Sequence, residues 1–196
     1  SIKNDGNESF NKKIDEIYQQ YFEQVYNELI QLNNDSINNK SLFVIKDLYP
    51  TLLNIISSII FIKNNNCLID LKSISHILSF SIQYLSSSFM ETDILKATLH
   101  FLSIALNYYK ENKNSFNKES ESEFIGIINK IKLDKHIISY INDNSLNDYD
   151  LRNEIIEMIN NMLLINDSSF INYLIENNIC EQISNLQLFL LESEQS

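Results

Sequence analysis

Apolar residues recur along most of the chain at spacings of three and four, which is the pattern of an amphipathic α-helix. The first stripe runs through Ile14, Ile17, Tyr18, Tyr21, Val25, Tyr26, Leu29 and Leu32 and predicts a helix over about 10–32. Further stripes cover about 67–87, 92–110, 121–131, 133–142, 147–166, 168–177 and 179–192. No segment shows sustained alternation of polar and apolar residues, so the pattern predicts an all-α fold.

The boundaries of these helices are marked mainly by asparagine and serine, because the chain has only two glycines and one proline. Pro50 suits the first turn of a helix, where its missing N–H costs nothing, and we expect that helix to continue to about Lys63. The charged stretch at 110–123 is rich in asparagine and serine and predicts a loop, with a flexible segment at 111–121.

The length of 196 residues is enough for one domain with a core and too short for two. We expect that domain to span 9–192, with a flexible leader at 1–8 and a polar tail at 193–196. The 32 isoleucines suit strands by propensity, but the shortage of turn residues and the helical periodicity outweigh that preference.

Parts of the chain repeat. When 168–186 is laid over 122–140, an offset of 46, six apolar positions coincide with six apolar positions. A looser match lays 151–161 over 94–104 at an offset of 57, and an insertion within 110–123 accounts for the difference. A short helix, a sharp turn, a second helix and a longer third helix, repeated about every 45 residues, are typical of a stacked helical solenoid.

The sharp turn in these units carries a resemblance to a known family. The stretch "LRNEIIEMINNMLLINDSSFINYLIENNICEQISNL" at 151–186 resembles the armadillo repeat of importin-α-like proteins. The family's first helix ends in a corner of leucine, isoleucine, an acidic residue, a variable residue and glycine, matched here by Leu174, Ile175 and Glu176. Asn178 stands at the glycine position, and asparagine is the other residue that readily takes a left-handed conformation. The resemblance implies a right-handed superhelix of about three armadillo-like repeats with an extra long N-terminal helix.

The resemblance covers about 65–192 and also implies a binding groove on the concave side. In the family, the third helix of each repeat carries a tryptophan and, four residues later, an asparagine that bonds the backbone of an extended peptide. The groove residues implied in this chain are His100, Ile104, Asn153, Glu157 and Asn161. The implied function is a non-enzymatic scaffold whose acidic groove binds an extended peptide or a helix of a partner protein. For Asn161, a hydrogen bond to the backbone of a neighbouring helix is an equal alternative.

The formal net charge is −11, and Arg152 is the only arginine beside 14 lysines. Nucleic-acid binding needs clustered cations, so this balance argues against DNA or RNA as a partner. An acidic chain favours a basic partner protein, although solubility alone explains the same composition.

Three features bear on localisation. The longest apolar stretch, at 52–62, is interrupted by serines and is about half the length needed to span a bilayer. The first residues lack the apolar segment of a signal peptide. Cys67 and Cys180 lie far apart without a partner motif, which indicates free thiols in a reducing compartment. We therefore expect an intracellular protein, cytoplasmic or nuclear, without membrane insertion.

No set of residues predicts catalysis, a metal site or a cofactor. The three histidines, His76, His100 and His136, all fall within predicted helices and lack the spacing of metal ligands. Glu154 and Glu157 lie three residues apart, as paired carboxylates would, but a solvated helix face explains them better. We expect the chain not to be an enzyme.

Two polar stretches have a functional and a simpler interpretation. An EF-hand calcium loop at 143–154 would use Asp143, Ser145, Asn147 and Glu154 as ligands. Asp148 replaces the glycine of its sixth place, and a polar turn capping the next helix explains the same residues. Ser120 and Ser122 stand beside glutamates, as in the site of an acidophilic kinase, although a plain loop has the same composition.

A structural role is the second hypothesis. The stripe at 10–32 has two apolar sides and is rich in tyrosine, which suits a homodimer seam. The final repeat has no third helix of its own, so a fragment of a larger helical-repeat protein is a further interpretation.

Overall fold

A computed structural model describes residues 5–37, 42–62, 69–86, 92–131, 149–165, 168–179, 181 and 184. Most of these residues are helical and none is in a β-strand, which confirms the all-α prediction for this part of the chain. The α-helices are α1 (Asp5–Ile37), α2 (Leu42–Ile62), α3 (Leu71–Ser81), α4 (Thr92–Asn112), α5 (Lys118–Ile128), α6 (Tyr149–Ile165) and α7 (Ser168–Glu176). Short 3₁₀-helices follow α3 at Ile82–Ser86 and α4 at Lys113–Ser115.

Three of the longer helices form a row, in which α4 packs against α2 on one side and against α6 on the other. His100 of α4 contacts Glu154 of α6, and Ser103 contacts Asn161 further along, so the two helices run parallel. Residues 47–54 of α2 and 93–100 of α4 line one pocket, and residues 60–61 of α2 and 104–108 of α4 line another, so α2 runs in the same direction. All three N-terminal ends therefore lie at the same end of the row.

The shorter helices pack behind this row. α3 packs against α5 and contacts α1 and α4, while α7 contacts α6. The hydroxyl of Tyr108 accepts a hydrogen bond from the N–H of Ile69 at 2.6 Å and donates to the Ile69 carbonyl at 3.2 Å, which joins α4 to the start of α3. The largest fully buried side chains are Tyr49, Tyr109, Phe101, Phe124, Leu29 and Leu53. Removing such apolar surface from water is the main stabilising term of the fold.

Pro50 is not in the first turn of its helix, and that prediction is wrong. α2 begins eight residues earlier, at Leu42, and ends at Ile62, so the proline lies in the helix interior. An interior proline removes one backbone hydrogen bond and costs about 3 kcal/mol or more. The neighbouring Tyr49 is buried and donates its hydroxyl to Ser81 at 2.8 Å, so tertiary packing offsets the cost.

The prediction of a loop at 111–121 is also wrong, since most of this segment is helical. The side chain of Asn117 accepts a hydrogen bond from the N–H of Ser120 at 2.8 Å and caps α5. Phe116 stacks on Tyr109 with ring centroids 6.3 Å apart, so the connection contributes to the core. Asparagine and serine are common in loops, but here they form the capped start of a helix.

The corner after α7 has the predicted conformation. Asn178 is the only non-glycine residue with a positive φ among the described residues, and its φ of 54° is left-handed. Its N–H donates to the carbonyl of Ile175 at 3.1 Å, which closes the turn. Asparagine therefore does here what glycine does at most helix C-termini.

The other predicted boundaries agree with the structure in some places and differ in others. α1 begins at Asp5, so the second half of the predicted leader at 1–8 is helical. The stripe at 92–110 is matched by α4, and that at 147–166 by α6. Outside the described residues lie the predicted helix at 133–142, the first positions of the calcium-like stretch, both cysteines, His136 and the polar tail.

Candidate functional site

One side of the α2–α4–α6 row packs into the core, and the opposite side, which we call the row face, is exposed. Its residues recur at helical spacing along each helix, because positions three and four apart share a side. They are Asp47, Thr51, Asn54, Ser58 and Phe61 on α2, Asp93, Lys96, His100, Ile104 and Asn107 on α4, and Asn153, Glu157, Asn160 and Leu164 on α6. Each is exposed or partly exposed, so the row face is open to a partner.

The N-terminal half of the row face contains an open pocket of about 580 Å³. Its charged and polar lining residues are Asp47, Thr51, Asn54, Asp93, Lys96, His100 and Glu154. Three carboxylates therefore face one ammonium group. This excess of negative charge gives the pocket a potential that attracts cations.

A hydrogen bond between His100 Nδ1 and Glu154 Oε1, 3.1 Å long, forms one wall of the pocket and joins α4 to α6. This bond raises the pKa of His100, the charges of Glu154 and Glu157 raise it further, and burial opposes them. The other oxygen, Glu154 Oε2, is buried and has no hydrogen-bond partner among the described residues. An ionised carboxylate with one unpaired oxygen is costly, so the site favours a positive charge close by.

The C-terminal half of the row face carries three apolar side chains among polar ones such as Asn107 and Asn160. The side chain of Phe61 is 65% exposed and that of Leu164 is 54% exposed, while Ile62 beside Phe61 is also exposed. Phe61 and Ile104 line a small cleft between α2 and α4 together with Asn107. Phe61 and Ile104 are therefore the candidates for an apolar contact with a partner at this end.

Four of the five predicted groove residues lie on the row face, and Asn161 does not. His100 lies in the pocket, Ile104 lines the apolar cleft, and Asn153 and Glu157 are exposed on α6. Asn161 instead turns toward α4 and bonds within the chain.

The Asn161 amide donates to Ser103 Oγ at 2.8 Å and, with a longer contact of 3.5 Å, to the Ser103 carbonyl. Ser103 is buried, so this contact lies within the α4–α6 interface. The longer contact agrees with the alternative interpretation of Asn161, a hydrogen bond to the backbone of a neighbouring helix, while the shorter bond is to the Ser103 side chain.

The sequence does not predict the roles of two residues, Glu154 in the pocket and Phe61 in the cleft. The sequence predicts Glu154 only as a calcium ligand or as one of a solvated pair, whereas it bonds His100. The repeat offset of 57 pairs His100 with Glu157, and the actual bond is made one turn earlier. Phe61 lies inside a long apolar run, and nothing in that run distinguishes an exposed phenylalanine from a buried one.

The two candidate phosphorylation sites lie on α5 rather than in a loop. Ser120 is partly buried in the first turn, where its N–H is bonded to Asn117, and Ser122 is exposed. Ser122 also lines an open cavity with Lys113 and Lys118, away from the row face.

Comparison with known proteins gives no relative: no family model, no curated protein and no solved structure matches the chain. Throughout the described ranges, each helix is too short or too polar to cross a membrane. In the same ranges, no group of three or more histidine, cysteine, aspartate or glutamate side chains is placed to hold a metal ion. Functional inference therefore rests on the row face itself.

Proposed function

We propose that the chain is a non-enzymatic protein-binding domain that holds an extended segment of a basic partner protein on the row face. The observation that carries this proposal is the pocket at the N-terminal half, where three carboxylates face one lysine. Lysine and arginine side chains of a partner would be attracted to this potential. An extended segment suits the row face, because stacked helical units create extended binding surfaces of this kind.

The same proposal includes an armadillo-like superhelix of about three repeats. Two hydrogen bonds join α4 to α6, and their sequence separations of 54 and 58 residues bracket the repeat offset of 57 found in the sequence. The left-handed Asn178 supports the family's corner at the end of α7. In this arrangement α2, α4 and α6 are the third helices of successive repeats, and α1 is the extra N-terminal helix.

A peptide selection tests the proposal. Random peptides displayed on phage are selected on the immobilised chain, and the enriched peptides are synthesised with a fluorophore for anisotropy titration. The charge-reversing pair Asp93→Lys and Glu157→Lys should weaken binding about tenfold or more, since both carboxylates lie on the row face. The control pair Glu16→Lys and Glu28→Lys makes the same charge change on exposed positions of α1 and should alter the affinity less than about twofold.

Two results would contradict the proposal. One is a selection that enriches no peptide. The other is an equal loss of affinity for both charge-reversed pairs, which would show that binding follows the overall charge of −11 rather than the row face.

Self-association through α1 is the second candidate function, and one observation favours it. Ile17 and Tyr21 on α1 are 51% and 58% exposed, so an apolar strip remains outside the core. Light scattering after size exclusion distinguishes the two candidates. A mass near 22.9 kDa supports the peptide-binding proposal, whereas a dimer that Ile17→Ser dissociates supports the structural role.

A further inference from the structure

The two halves of the row face differ in chemistry, and that difference defines the partner more closely. The N-terminal half gathers Asp47, Asp93 and Glu154 around an open pocket. The C-terminal half exposes Phe61 and Leu164, with Ile104 beside Phe61. Because α2, α4 and α6 run parallel, the pocket carboxylates lie toward one end of the row face and the exposed apolar side chains toward the other.

The separation of the two halves follows from helix geometry. Asn54, at the pocket, and Phe61, at the cleft, are seven residues apart on α2. At a rise of 1.5 Å per residue, this places them about 10 Å apart along the helix axis. An extended peptide covers that distance in about three residues, since each residue advances it by about 3.3 Å.

We propose that the row face recognises two features of one extended peptide: a lysine or arginine in the pocket and, about three residues away, a bulky apolar side chain against Phe61 and Ile104. This inference rests on the proposed function and adds the chemistry of its ligand. The basic residue complements the excess of carboxylates, and the apolar residue covers a phenylalanine that is otherwise 65% exposed. Together the two contacts also fix the direction in which the peptide lies along the helices.

A second copy of this chain fits the row face poorly. A symmetric dimer through this surface would place the pocket carboxylates opposite each other or, with the helices antiparallel, against the apolar end of the other copy, and neither arrangement supplies a basic partner in a chain whose net charge is already −11. Like charges opposed across an interface weaken association. A partner of opposite charge, with an apolar side chain about three residues from its basic one, complements both halves.

The selected peptides test the inference directly. Their sequences should pair a lysine or arginine with leucine, isoleucine, methionine or an aromatic residue, most often three or four positions apart. Anisotropy titration should show that Phe61→Ser weakens binding about tenfold, while Phe61→Leu retains most of the affinity. The matched control is Ile175→Ser on α7, which changes an apolar side chain of similar exposure, 61%, and should leave the affinity within about twofold.

The outcomes separate this inference from the proposed function. Peptides with basic residues alone, bound equally well by Phe61→Ser, would overturn the inference and leave the basic-partner proposal standing. A selection that enriches nothing overturns both. A wild-type dimer that Phe61→Ser dissociates would also overturn the inference, because the apolar half would then serve a second copy. Melting curves by circular dichroism check that the Phe61 variants stay folded.

Discussion

Two phenylalanines show how differently the molecule uses the same side chain. Phe124 is fully buried and stacks on Tyr109 with ring centroids 4.8 Å apart, inside a cluster that includes Tyr108 and Phe116. Phe61 lies at the C-terminal half of the row face and is 65% exposed. Helical periodicity places both on apolar stripes, but only Phe124 has its contacts completed within the chain.

The hydrogen bonding of polar groups also differs between the aromatic cluster and the row face. In the aromatic cluster the Tyr109 hydroxyl donates to Glu121 Oε1 at 2.6 Å, and burial, with the bond and charge of Glu121, raises the pKa of Tyr109. The hydroxyl therefore stays protonated and bonded at neutral pH. On the row face, Glu154 keeps one buried oxygen without a partner among the described residues. The Tyr109 hydroxyl is thus paired within the chain, whereas the pocket of the row face keeps one carboxylate oxygen without a hydrogen bond from the described residues.

The largest effect on stability should come from the aromatic cluster. Phe124→Ala removes a fully buried ring and should lower the free energy of unfolding by about 3–5 kcal/mol, through lost burial and the cavity left behind. Urea denaturation followed by circular dichroism measures the change. A loss below about 1 kcal/mol would show that the cluster is not part of the core.

Asn161→Ala should have an intermediate effect. Removing the amide leaves Ser103 Oγ, in a residue only 1% exposed, without that donor, so the free energy of unfolding should fall by about 1–2 kcal/mol. Asn160→Ala is the control at an exposed neighbour and should stay within about 0.5 kcal/mol. Unchanged stability together with weaker peptide binding would instead show that Asn161 contacts the peptide in the groove.

A smaller effect concerns pH. Because Glu154 raises the pKa of His100 in the folded state, protonation of His100 stabilises the fold fully below the unfolded pKa of about 6.5. That contribution is lost as the pH rises through the folded pKa. Glu154→Gln should lower the pKa of His100 measured by NMR titration and remove this part of the pH dependence.

Glu157→Gln is the control for that titration, because Glu157 acts on His100 only through its charge and is the smallest of the causes. It should lower the pKa of His100 less than Glu154→Gln does. An equal or larger change from Glu157→Gln would mean that the bond between His100 and Glu154 does not form in solution.

Phe61→Ala should have the smallest effect on stability. Its side chain is mostly exposed, so the free energy of unfolding should change by about 0.5 kcal/mol or less, in contrast to Phe124→Ala. Thermal and urea unfolding measure the pair side by side. Destabilisation of more than about 2 kcal/mol would place Phe61 in the core and abolish the contrast.

Local rules of the sequence predict much of the fold. The spacing of apolar residues predicts the helices, and the preference of asparagine for left-handed backbone predicts the conformation of Asn178. The same rules fail where tertiary contacts decide. Pro50 is held inside α2 by the burial of its surroundings, and the polar residues before α5 cap a helix instead of forming a loop.

The candidate site is less predictable than the fold. The repeat offset brings α4 and α6 side by side in sequence, but it places His100 opposite Glu157 rather than Glu154. Glu154 and Glu157 lie about one helical turn apart on α6. A repeat offset that spans an insertion does not fix the alignment of α4 and α6 to within one turn. Whether an apolar residue such as Phe61 faces the core or solvent depends on which helices lie next to it, which periodicity alone does not specify.

Isoleucine methyl NMR with a selected peptide tests most directly whether the row face is the binding surface. Ile104 lies on the row face, while Ile17 on α1 and Ile175 on α7 are exposed elsewhere. Adding the peptide should shift the methyl resonance of Ile104 and leave those of Ile17 and Ile175 in place. A shift of Ile17 or Ile175 without a shift of Ile104 would contradict this expectation.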